Sequence, residues 1–276
     1  MNNVKSVEKI VSLLLVLCFI STNTAYSLGE TLRVPVDKTA INRMQEILNP
    51  LSRDAASEKL TSNTGIMSNN VQGLLENIRG VLEFDANGNV VVVDADKLRS
   101  ETIDYLAIEA ALSKNNDVKT AAQFLIRSAA ISLGIIPASI NDFYMARKDN
   151  AWENMTVPAV NIRADGYETS RQVFRVVKEQ NIGAVILELA KSEARYSGQS
   201  LGEFTTVGFA AAIKEGYAGQ IFFQGDHYQV DKKKYDQDPQ KEINSLKKLI
   251  RESILAGEYN IDLDPSTLVN EPALDE

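Results

Sequence analysis

Cysteine and histidine are almost missing: one of each stands among 276 residues. Cys18 has no partner within the chain, so a disulfide framework is excluded, and so is a zinc site built from several Cys or His side chains. Basic charge is also short. Lys and Arg number 29 against 37 Asp and Glu, a formal net charge of −8, which excludes a large phosphate-polymer interface and so a nucleic-acid partner. Long apolar runs are lacking too. The longest, residues 10–20, falls well below the roughly 20 residues a membrane-spanning helix needs. Low-complexity tracts and 20–50-residue repeats are likewise missing. What remains is 44% hydrophobic and 24% charged, enough to bury a core and to exclude full-length disorder.

The apolar run belongs to a leader. Lys5 and Lys9 precede it, and Ala25-Tyr26-Ser27 has the small-x-small form of a signal-peptidase site. Residues 1–27 therefore read as a signal peptide or N-terminal anchor, and Cys18 as a passenger within it. Residues 28–150 read as a mainly helical extension. Weak helical periodicity occupies 40–48, and a loop is expected at 62–65. Helical spacing follows at 71–78, 100–113 and 118–133. Asn87-Gly88 sits between two β-prone runs and predicts a hairpin near 81–94. Alanine-rich faces on the last two helices favour close packing, and Gly134 with Pro137 stops the second.

From 151 to 276 the texture alternates. Residues 157–162, 183–190, 220–226 and 259–263 are short apolar runs, as in strands covered on both faces. Helical patterns at 168–180, 203–215 and 239–256 separate them. This is the rhythm of βα units around a parallel sheet, either a small open sheet or the first half of a (β/α)8 barrel. The Lys232-Lys233-Lys234 run, flanked by Asp231 and Asp236, reads as a solvated loop.

In such folds sites form where strands end. Here the ends are polar: Asn161-Ile162-Arg163, then Glu188 with Lys191-Ser192-Glu193, then Gln224-Gly225-Asp226-His227, then Asp262 and Asp264. Ionised carboxylates at buried strand ends are costly unless paired or metal-bound, so Glu188, Asp226 and Asp262 mark this rim as a candidate site. His227 alone is more often a hydrogen-bonded structural residue, and a metal there would have to take its other ligands from carboxylates.

Val157-Pro158-Ala159-Val160-Asn161, Phe222-Phe223-Gln224-Gly225-Asp226-His227 and Asn260-Ile261-Asp262 together resemble the class II, metal-dependent fructose-bisphosphate aldolases. The resemblance runs from about residue 80 to the C-terminus. It implies an α/β fold of the (β/α)8 TIM-barrel family, with about four βα units present after the helical extension. It implies an aldehyde-lyase that reversibly cleaves a ketose bisphosphate, a sugar phosphate, to dihydroxyacetone phosphate and an aldehyde. The implied cofactor is a divalent metal, zinc in most members. His227 matches a metal ligand, and Asp226 the catalytic group that moves the proton on the aldehyde oxygen. Asn161, Asp262 and Glu188 fall at substrate-contacting positions, Glu188 where many members carry Gln.

The family also uses two further His ligands, a Glu and late glycine-rich phosphate loops, which this sequence lacks. On this reading the chain is a fragment or half-barrel remnant. Weak zinc binding, negligible cleavage by this chain alone and homo-oligomerisation through open sheet edges are expected. The leader points to export or membrane association, the implied chemistry to the cytoplasm. The alternative is a non-catalytic exported α/β protein that binds a small sugar or a protein partner.

Overall fold

The computed structural model describes residues 67–86, 88–149, 151 and 156–269. The leader with Cys18, the periodicity at 40–48, the loop at 62–65 and Asn87 lie outside them. No helix among the described residues is long and apolar enough to cross a membrane.

The extension begins with α1 (Val71–Asn77), whose start is capped by Asn70 accepting the Gly73 amide at 2.9 Å. β1 (Leu82–Phe84) and β2 (Val90–Val92) pair antiparallel, with Leu82 opposite Val92. A short α2 (Ala95–Lys97) and a π-helical turn (Leu98–Thr102) lead into α3 (Ile103–Leu112) and α4 (Asn116–Ser132). These two helices pack on each other through Ala107 and Ala110 on one and Ala121, Ala122 and Ala129 on the other, all buried. Small side chains let the two backbones approach.

Two elements follow that the sequence pattern does not announce, β3 (Ile135–Pro137) and α5 (Asn141–Lys148). The alternation then runs β4 (Ala159–Asn161), α6 (Gly166–Glu179), β5 (Ile186–Ala190), α7 (Lys191–Ser197), α8 (Leu201–Lys214), β6 (Gly219–Asp226), α9 (Lys232–Gln237), α10 (Pro239–Ala256) and β7 (Asn260–Ile261). The triple-lysine segment is therefore helix α9 and not loop. Asp231 caps it by accepting the Lys233 and Lys234 amides, and Lys232 pairs with Asp236 one turn on.

The protein is α/β with a five-stranded sheet, and every pairing in that sheet is parallel. β4, β5, β6 and β7 neighbour one another in chain order. β3 joins from the extension and pairs with the first residues of β6, whereas β7 pairs with Gln224 and Gly225 near its end. β3 and β7 therefore share one side of β6, and β5 takes the other.

Each sheet face is covered differently. Leu187, Leu189 and Phe223 meet α8, where Phe204 and Phe209 set their rings edge-on to Phe223 at centroid distances of 5.7 and 5.2 Å. Gly208 lies in the middle of this buried helix because a Cβ there would stand 2.6 Å from the Phe223 ring. The same core runs without a break from α1 and α3 through α8 to β6, so residues on both sides of position 150 build it. On the other face Ile186 and Phe222 meet Ala138, Ile140 and Phe143, the segment after β3.

One buried cation ties the extension to this core. Arg127 of α4 donates to Thr206 Oγ1 at 3.0 Å, to Thr205 Oγ1, and to the Ala256 carbonyl that ends α10. Its guanidinium lies 5.9 Å from the Phe209 ring centroid. Burial pulls its pKa down to about 10, and the negative end of α10 compensates the charge where no carboxylate among the described residues does.

Candidate functional site

Parallel register builds the rim. Asn161 stands opposite Glu188, Glu188 opposite Gln224, and Gln224 opposite Asn260. Residues in register share a face, so these four side chains form one polar row across four strands. Two residues further along the same face come Asp226 on β6 and Asp262 after β7. The face thus grades from apolar at Ile186 and Phe222 to carboxylate at the strand ends.

Members of the polar row have different tasks. Asn260 is a buried brace: its Oδ1 accepts the Ile140 amide at 2.8 Å, and its Nδ2 donates to the Phe223 and Ala138 carbonyls. Glu188 is 8% exposed and accepts from Gln224 Nε2 at 2.8 Å. Burial, then the charge of Asp226, raises its pKa against the pull of Gln224. Glu188 therefore keeps its proton to higher pH than an ordinary carboxyl.

Asp226 and His227 are adjacent, and in regular pleating would point to opposite faces. His227 resolves this by adopting φ +50°, in the left-handed region. Asp262 holds the turn from the neighbouring strand. Its amide donates to the Gly225 carbonyl at 2.8 Å, its carbonyl accepts the Tyr228 amide at 2.9 Å, and its Oδ2 accepts the His227 amide at 3.2 Å. Gly225, just before the turn, serves packing. A Cβ on Gly225 would lie 2.5 Å from the Tyr228 ring, so glycine is needed there for the tyrosine to pack.

The outcome is a compact donor cluster. One ligand atom each from Asp226, His227 and Asp262 lie within 4.8 Å of one another. His227 Nε2 is 3.8 Å from Asp226 Oδ1, and the imidazole is 62% exposed whereas the Asp226 side chain is 14% exposed. One imidazole nitrogen and two carboxylate oxygens suit a divalent cation with open coordination positions. Glu188 and Glu193 add negative charge nearby, which favours a cation further.

Of the five residues singled out from sequence, Asp226, His227 and Asp262 meet in this cluster. Asn161 touches it, donating to Asp226 Oδ2 at 3.0 Å. Glu188 lies one row below. The sequence places Glu193 and Arg163 among the polar strand ends but assigns neither of them a role. Glu193 is buried at the start of α7 and accepts the Ala190 amide at 2.9 Å and Asn161 Nδ2 at 3.3 Å on one oxygen, and Arg163 Nε on the other. A Glu three residues into the helix that follows a strand is the one local signal that could have marked it.

Comparison with family models, with curated proteins and with solved structures gave no match in any of the three. Fold and rim by themselves define an α/β protein with a parallel sheet and an Asp–His–Asp cluster able to hold a metal at the strand ends.

Proposed function

We propose that the protein is of the class II aldolase type, with the β4–β7 sheet as the opening half of a (β/α)8 barrel. The proposed reaction is metal-dependent aldol cleavage and condensation of a ketose bisphosphate. One observation carries the reading: Asp226, His227 and Asp262 converge at the C-terminal rim of a parallel sheet.

In this reading His227 and Asp262 hold zinc. Bound zinc supplies Lewis-acid polarisation of a ketose carbonyl. Asp226 moves the proton on the aldehyde oxygen, and Asn161 orients it through the 3.0 Å hydrogen bond while facing the ketose backbone. Glu188 lies one row below the rim at a substrate-contacting position, where it accepts from Gln224.

The test is zinc titration of the full chain, combined with deuterium exchange into dihydroxyacetone phosphate and cleavage of fructose 1,6-bisphosphate. With one imidazole and carboxylates, affinity should be well below that of a multi-histidine site. Exchange should be zinc-dependent, and cleavage slow. His227→Ala should abolish zinc binding, and Asp226→Ala should lower cleavage by about 10²–10⁴-fold with zinc retained. No zinc-dependent exchange at saturating metal would overturn the aldol chemistry. Saturable binding of an uncharged sugar without exchange would instead favour a non-catalytic sugar-binding protein.

A further inference from the structure

Arg163 follows β4 by two residues and engages Glu193 through Nε alone. Its two terminal nitrogens have no hydrogen-bond or ion-pair partner among the described residues, and its side chain is 63% exposed. It lines a cleft of about 800 Å³ that opens beside the rim, between α3 on one side and α6 and α8 on the other. Ile108, Leu112 and Val207 give this cleft an apolar wall.

The other cations of the cleft are already paired. Arg171 binds Glu168 and Glu215, and Lys214 binds Asp104 at 2.5 Å. Arg163 is thus the cation that offers open donors there among the described residues. Its position is fixed from behind. Burial alone would raise the Glu193 pKa, but the Ala190 amide, Arg163 and Asn161 all donate to it and hold it below the usual range. Glu193 therefore stays ionised and keeps hold of Nε. Asn161 continues the chain of hydrogen bonds to Asp226, so the guanidinium and the metal-competent cluster are separated by two side chains.

We propose that Arg163 is the specificity-determining residue of the rim site. It takes a terminal oxyanion, such as a phosphate monoester, of a ligand that lies along the cleft and reaches Asp226 and His227 with its carbonyl end. A guanidinium with two free nitrogens matches the geometry of such a group. The inference rests on the rim being the reactive site, and it adds the residue that would grip the anionic end of the substrate.

The experiment is calorimetric titration of the full chain with inorganic phosphate, dihydroxyacetone phosphate and uncharged dihydroxyacetone, in EDTA and then with zinc. Dihydroxyacetone phosphate should bind about 10–100-fold more tightly than dihydroxyacetone, the size of one or two hydrogen bonds to a charged group. Inorganic phosphate should bind in EDTA. Arg163→Gln should erase both effects, and Arg163→Lys should keep part of them. Arg163→Lys keeps a cation beside Glu193 and should melt near the parent, whereas Arg163→Gln leaves the buried Glu193 carboxylate short of a partner and should melt lower while staying folded at the titration temperature. The proposal is overturned if the parent shows no preference for the phosphate-bearing probe, or if Arg163→Gln leaves that preference intact. Zinc titration reads the rim separately. Arg163-dependent phosphate binding without zinc binding would sink the metal reading alone, whereas zinc binding with an Arg163-independent preference would sink this one alone.

Discussion

At the scale of single residues, Glu258 is the side chain whose charge the fold treats most harshly. It is fully buried just before β7, accepts the Tyr228 hydroxyl at 3.2 Å through Oε2, and leaves Oε1 without a partner. Burial pushes its pKa up to about 7, while Ser253 and Tyr228 pull the other way. In the unfolded chain it ionises near the ordinary value of about 4.3. Between those two values the native state holds a proton that the unfolded state has released. Its contribution is therefore fully present below the unfolded pKa and is lost as pH rises through the folded one. Between pH 4.5 and 7.5 this loss should reach roughly 3 kcal/mol. Glu258→Gln keeps an acceptor for Tyr228 and cannot ionise. Urea denaturation across that window should show a shallower decline of stability in the variant, and an unchanged decline would show that Glu258 does not titrate there.

Tyr228 connects this buried carboxyl to the rim. Its ring covers Gly225, and its hydroxyl reaches Ser253 of α10 at 2.5 Å. The His227 turn is therefore backed by a packed aromatic ring. Holding a non-glycine residue in the left-handed region costs about 1–2 kcal/mol, which such backing can offset.

At the scale of elements, the junction of α4, α8 and α10 depends on Arg127. Replacing it with Ala removes a buried cation that joins three helices, and strands the Thr206 hydroxyl without its donor. Arg127→Ala should destabilise the fold by about 2–4 kcal/mol, the range for a broken buried hydrogen-bond network. Chemical denaturation measures this, and a loss under 0.5 kcal/mol would show that the helices pack without it. Which elements were legible follows from the same physics. β5 and β6 are buried on both faces and so read as continuous apolar runs, and α6, α8 and α10 carry helical periodicity. β3 has three residues and ends in Pro137, too short for any period to emerge. α9 carries four charged residues in six and is made helical by its Asp231 cap, which a reading of hydrophobicity misses. Asp226, His227 and Asp262 were legible because they directly follow apolar strand runs. Arg163 and Glu193 were legible only as polar strand-end residues, because their pairing spans 30 residues and arises only when β4 and β5 lie side by side.

At the scale of the whole molecule, the open sides of the sheet decide how copies of the chain treat one another. Among the described residues β4 pairs with β5 alone. The Pro158 carbonyl and the Ile162 amide both bond toward β5. Backbone groups alternate in direction along a strand, so those of Ala159 and Asn161 point outward from the edge. Such an edge is a template for another strand, and self-association is the expected result. The net charge of −8 opposes it. Association should therefore strengthen as salt screens the repulsion between copies. Sedimentation velocity at about 50 mM and 500 mM salt tests this, with a larger mean sedimentation coefficient expected at the higher value. Ala159→Pro removes an outward N–H without touching a bond to β5. It should weaken association while shifting the melting temperature by no more than about 4 °C. A parent protein that stays monomeric at both salt concentrations would show that this edge is protected, and equal association of parent and Ala159→Pro would place the contact elsewhere on the surface.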